Sequence, residues 1–154
     1  MLRYVVAAAA LALVLPVGLA ISGLPARDAS ARDEIVVVEH ATSDATIDLG
    51  AAGDSVGDTL VFANDLYDAA DANKVGTDQG SCVRTVPGKA WECTWTAFLP
   101  DGQVVVQGPF YDDGSESTLA IIGGTGKFTD ASGEMVLGAG PNAAEYTFTY
   151  KIDD

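Results

Sequence analysis

From residue 34 onward the chain alternates apolar and polar residues in short runs and nowhere sustains the three-to-four-residue spacing of an amphipathic helix. Eight runs read as β-strands: 34–40, 58–67, 75–86, 90–99, 103–110, 117–122, 133–137 and 144–152. Turn signals separate most of them, notably Pro87-Gly88, Pro100-Asp101-Gly102, Asp112-Asp113-Gly114 and Gly140-Pro141-Asn142. Successive strand side chains point to opposite sides, so the alternation also assigns faces. In the last run Tyr146, Phe148, Tyr150 and Ile152 share the apolar side, with Thr147, Thr149 and Lys151 opposite. Trp91, Cys93, Trp95 and Ala97 share a face of the fourth run. Glu39 shares one with Ile35 and Val37, and Asn64 with Leu60 and Phe62. The expected fold is all-β: an eight-stranded antiparallel sheet closed into a barrel, which removes its edges and leaves an interior for side chains or one small ligand.

Two connecting segments stand out. The stretch 41–57 is polar and glycine-rich and is expected to cover one end of the barrel as a mobile loop. The run AIIGGTGKFTDASG, 120–133, breaks an apolar strand with four glycines, which marks a sharp strand-to-strand corner. It is not a phosphate-binding loop, because Ile121 and Phe128 stand where such a loop requires a glycine and a Ser or Thr.

Residues 1–31 carry an early positive charge at Arg3, an apolar stretch at 4–24 and the small-residue site Ala29-Ser30-Ala31. That is the pattern of a cleaved export signal, with an uncleaved membrane anchor as the lesser alternative. The mature chain, 32–154, is then a single secreted barrel domain. Removal of Arg3, Arg27 and Asp28 changes the net charge from −14 to −15. A field of that sign repels nucleic acid and anionic lipid. Cys82 and Cys93, the only cysteines, flank a turn centred on Pro87-Gly88, and a hairpin there places them opposite one another. In an oxidising compartment a cross-strand disulfide is the expectation.

Candidate chemistry is sparse. His40, the one histidine, alternates with Glu39 and is expected on the outer surface. Asp65, Asp68 and Asp71 read as a solvated acidic loop, and no residue spacing points to a metal site.

Several phrases carry a family resemblance. GDTLVFANDLYD (57–68), VGTDQGSCV (75–83), VVVQGPF (104–110), LAIIGGTGKFTDASGEM (119–135) and EYTFTYKI (145–152) resemble, in order, the strands of plant allene oxide cyclases. GGTGKFTDASG also resembles the matching corner of plant dirigent proteins. The resemblance implies an eight-stranded barrel with a largely apolar cavity, commonly trimeric, working without metal or organic cofactor. Cyclases of this kind fold a reactive fatty-acid epoxide into a cyclopentenone, and dirigent proteins steer the coupling or cyclisation of phenolic intermediates. Carried over by residue, the resemblance implies catalytic roles for Glu39 in VVVEHA and Asn64 in FANDLY. The expected cavity wall is Phe62, Trp91, Trp95, Phe110, Tyr146 and Phe148. Ala41 stands where the cyclase pattern has a second asparagine, and its serine-proline element has no counterpart here. The expected function is that of an exported barrel that binds a small apolar intermediate and steers its cyclisation or coupling as a cofactor-independent cyclase or isomerase. The alternative is a non-catalytic binding or structural barrel.

Overall fold

The computed structural model describes residues 32–153, and the expected leader, 1–31, lies outside them. The elements in chain order are β1 (Asp33–His40), β2 (Ala45–Ile47), β3 (Thr59–Asp68), β4 (Lys74–Val86), β5 (Ala90–Leu99), β6 (Gly102–Tyr111), β7 (Ser117–Gly124), a 3-10 turn (Gly126–Phe128), β8 (Ser132–Ala139) and β9 (Glu145–Asp153). Strands are hydrogen-bonded in the order β1-β9-β8-β7-β6-β5-β4-β3-β2, and β1 also pairs with β3. That last pairing closes an eight-stranded antiparallel barrel, with β2 continuing along the edge of β3 that β1 occupies. Each of the eight expected runs is present, with ends shifted by a few residues.

Closure depends on β3 having two neighbours along its length. Its C-terminal half meets β1, from Val37 opposite Asp68 to His40 opposite Asp65. Its N-terminal half meets β2, from Ala45 opposite Val61 to Ile47 opposite Thr59. The chain therefore leaves β1 at His40, rejoins the same edge of β3 as β2, and turns back into β3 through residues 48–58. The segment expected to be a loop carries a short strand of its own and is tied by polar contacts as a strap. Asn64 Oδ1 accepts the backbone N–H groups of Thr42 and Ser43, each at 3.0 Å. Asp58 accepts those of Leu49 and Ser55, each at 2.8 Å. These donors hold the Asp58 carboxyl below its ordinary range.

Side chains fill the middle of the barrel. Leu66, Val104, Val106, Leu119, Met135, Phe148 and Tyr150 are all buried. Burying each large apolar side chain contributes on the order of 2 kcal/mol, so this cluster is the main driving force for closure. The far end is sealed by the glycine-rich corner. A Cβ on Gly124 would lie 2.2 Å from Gln103 O and 2.5 Å from Phe128 O, a separation only glycine tolerates. The 3-10 turn then tucks Phe128 into that end.

On the β4–β5 hairpin Cys82 lies directly opposite Cys93, with Cα atoms 4.0 Å apart, and the two form a disulfide. Trp91, Cys93, Trp95 and Ala97, which alternation put on one face, are all buried.

Candidate functional site

The barrel has one end filled by the corner; at the other, where the strap is held by Asn64 and places Asp44 at the rim, a cavity enters the core. Its wall consists of Leu60, Phe62, Cys82, Cys93, Trp95, Phe110, Leu137, Tyr146 and Phe148, and its polar groups are Glu39 and Asp44. Free space inside is about 40 Å³, room for a few water molecules or one small chemical group. The aromatic side chains brace one another: Phe62 meets Trp95 edge-on at 5.9 Å between ring centres, Phe110 meets Tyr146 in the same way at 5.8 Å, and Trp95 leans on Phe148 at 5.6 Å.

Glu39 comes from the C-terminal end of β1, opposite Leu66 on β3 and Tyr146 on β9. Its side chain is buried at the cavity floor, and Oε1 accepts a 2.9 Å hydrogen bond from Asn64 Nδ2. Asp78 on β4 stands behind it. Asp78 is opposite Asn64 in the β3–β4 register, and Oδ1 accepts the Asn64 backbone N–H at 3.2 Å. Its Oδ2 is buried with no donor other than a proton carried by Glu39. Burial first, and the neighbouring Asp78 charge second, push the Glu39 carboxyl up to about 9. Burial also raises Asp78, to about 6, while its hydrogen bond with Glu39 opposes the rise. The two titrate as a pair, and at neutral pH they share one proton.

Asn64 organises this floor without reaching the cavity. Its amide nitrogen donates to Glu39 and, at 2.8 Å, to Asp44 Oδ1. Its oxygen takes the strap N–H groups and the Ser43 hydroxyl. Tyr146 at the mouth has its phenol raised, by burial first and then by the charges of Glu39, Asp44 and Asp112.

Of the residues expected at a site, Glu39, Phe62, Trp95, Phe110, Tyr146 and Phe148 meet around this cavity, with Asn64 one layer behind. Trp91 is placed elsewhere: it lies under Arg84 at the rim, the guanidinium carbon 3.8 Å from its ring centre, and its Nε1 donates to Asp112 Oδ2 at 3.0 Å. Arg84 is paired with Asp54 at 2.6 Å and with Asp112 at 2.7 Å. Asp78 and Asp44 were not singled out from the sequence. Counting back by twos from inward-facing Cys82 does reach Asp78, whereas nothing local marks Asp44.

His40 points outward, as expected, but it is not isolated. Its Nε2 lies 2.7 Å from Asp71 Oδ1 and 3.7 Å from Glu145 Oε1, and its ring stacks on Tyr67. These three residues offer ligand atoms within 4.8 Å of one another. A hydrogen bond between the ring and Asp71, with the stack on Tyr67, accounts for the same geometry. Asp65 and Asp68 do not join them: Asp65 pairs with Lys74, and Asp68 accepts from Ala72 N and Asn73 Nδ2.

The fold is a closed antiparallel barrel with an aromatic-walled, acid-floored cavity at one end. The chain belongs to the allene oxide cyclase barrel-like domain family, whose model matches residues 36–147. Among solved structures it is similar to a pyocyanin demethylase, with a TM-score of 0.68 and 25% identity, covering 78% of this chain and 99% of that one. It also shares the fold of an exo-specific intermolecular Diels–Alderase at 14% identity, with a TM-score of 0.63 and coverage of 80% and 98%. A pterocarpan synthase dirigent protein matches at 17% identity, with a TM-score of 0.63 and coverage of 79% and 82%.

Proposed function

We propose that the protein is an exported, cofactor-independent barrel that takes a small apolar intermediate into the strapped mouth and steers its cyclisation, coupling or rearrangement. The observation that carries this reading is Glu39, a carboxyl buried on the floor of an aromatic pocket and hydrogen-bonded to Asn64, which burial pushes up to about 9. An uncharged acid there can donate a hydrogen bond to an oxygen of the bound molecule while the negative charge of the pair rests on Asp78. The aromatic wall restricts the conformations of the bound molecule, so that part of the barrier is lowered by orientation alone. Asn64 is a positioning residue in this scheme, holding Glu39 and the strap in register. Pyocyanin demethylation, Diels–Alder cycloaddition and pterocarpan synthesis, the reactions for which the similar structures are named, are all chemistry of small organic molecules, which supports the reading.

The alternative, a barrel that binds without reacting, is favoured by the small free volume, since a whole ring system does not fit the cavity as its side chains stand. Incubating the protein and its Glu39→Gln variant with a mixture of small aromatic and polyene compounds, followed by mass spectrometry, separates the two readings. Conversion of a compound by the parent alone supports catalysis. Retention of a compound unchanged by both proteins supports the binder, and retention by neither overturns both.

A further inference from the structure

The charge around the cavity has only one sign that is free to act on a ligand. Glu39 and Asp44 reach its surface and Asp78 lies behind Glu39, while Asp112 adds to the field felt by the Tyr146 hydroxyl. The other polar groups packed against the floor, Trp95 Nε1 and the Tyr150 hydroxyl, are neutral and buried. Arg84 is the nearby cation, and Asp54 and Asp112 already occupy it. Five aromatic rings, those of Phe62, Trp95, Phe110, Tyr146 and Phe148, form the wall, and ring faces attract a cation that has lost its water. A free space of about 40 Å³ admits a methylated nitrogen but not a whole ring.

We infer that, among small molecules with an apolar body, the mouth selects those carrying one cationic nitrogen, with an ammonium or N-alkylated heteroaromatic nitrogen entering the cavity toward Glu39 while the apolar body stays among the rings at the rim. This inference rests on the proposed small-molecule site and names the chemical class that site prefers. A ligand with a carboxylate or phosphate at the inserted end is rejected, because no unpaired cation among the described residues is placed to receive it. The shared proton of the two buried carboxyls leaves one negative charge beneath the inserted nitrogen. Three contributions thus favour the same ligand: the dyad charge, the Asp44 carboxylate and the ring faces.

Three probes of one shape test it: N-methylquinolinium, 1-methylnaphthalene and 1-naphthoate, a cation, a neutral molecule and an anion. Each is titrated into the purified protein by calorimetry, with amide NMR shifts reporting where it binds. The cation should bind roughly tenfold tighter than the neutral probe, with the anion weakest, and shifts should centre on Glu39, Phe110 and Tyr146. The preference should persist at about 0.5 M salt, where the diffuse attraction of an acidic surface is screened. In the Glu39→Gln, Asp78→Asn double variant the ratio of cation to neutral affinity should shrink markedly. If that variant does not fold, Asp44→Asn and the salt series on the parent protein carry the test. Equal affinities for cation and neutral probe at the mouth would overturn the charge preference and leave the small-molecule site standing. Absence of binding by all three, or shifts confined to the outer surface, would overturn both.

Discussion

Glu39 is at once the most costly and the most useful side chain in the barrel. Burial raises its pKa from 4.5 to about 9, so between those values the folded state holds a proton that the unfolded state releases. Stability must then fall as pH rises through that window, because the native state binds more protons. Asp78 adds the same sign between 3.8 and about 6. Asp58, Asp68 and Asp113 act oppositely: their lowered values confer stability that is lost toward acid. The melting temperature should therefore peak near mildly acidic pH and decline toward pH 9. Glu39→Gln keeps a donor toward Asp78 and an acceptor toward Asn64, so it should flatten the alkaline limb and melt higher than the parent at pH 9, by roughly 5 °C or more. Melting curves across pH for both proteins check this, and parallel curves would refute the buried-acid assignment. Asn64 predicts a loss instead. Replacing it with Leu strands two strap N–H groups and leaves Glu39 and Asp44 without their shared donor. At about 1–3 kcal/mol for a buried polar group left unpaired, the variant should lose several kcal/mol and expose Thr42 and Ser43 to hydrogen exchange.

Among the elements, the β4–β5 hairpin and the β7–β8 corner are the two whose loss should be felt most. The Cys82–Cys93 bridge closes a short loop at sequence separation 11, which in the chain-entropy account contributes roughly 3 kcal/mol. Both sulfurs also line the cavity, so reduction should loosen the wall behind Trp95 as well as lower the melting point. Intact mass after alkylation, with and without reductant, counts the thiols, and melting under the same conditions measures the effect. At the corner, Gly124→Ala places a methyl into the Gln103 and Phe128 carbonyls, and the resulting backbone shift should cost about 2 kcal/mol or more. Chemical denaturation of that variant checks it. Gly88→Ala meets no neighbour, so it isolates the cost of a left-handed turn residue and serves as the comparison.

For the molecule as a whole, the outer face of β2–β3–β4 is unusual for so acidic a chain. Register places Ile47, Thr59 and Val83 in one row and Ala45, Val61 and Ser81 in the next, with Ile47, Val61 and Val83 exposed. An apolar strip beside the site, on a protein of net charge −14, fits the self-association implied by the family resemblance. Light scattering should find an oligomer, and Val61→Lys with Val83→Lys should dissociate it without lowering the secondary structure. A monomeric parent protein would remove that expectation.

Strand positions and faces were legible in the sequence because a period of two is local: Tyr146 to Ile152 and Trp91 to Ala97 each announce their inward side without reference to any other strand. The Cys82–Cys93 pairing was legible for a similar reason, since one turn sets the register of its own hairpin. The glycine corner was readable from composition alone. Glu39 and Asn64 were brought together by the family resemblance, but their meeting with Asp78 was not legible, because it joins three strands whose relative stagger depends on barrel closure and on a bulge between Leu66 and Tyr67. Nor was Asp44, whose place depends on a strap held from below by Asn64. The sequence by itself determined which side chains point into the barrel. Only the tertiary structure decided which of them meet and how much space remains, because local alternation assigns a face, whereas register, closure and packing are properties of the whole ring.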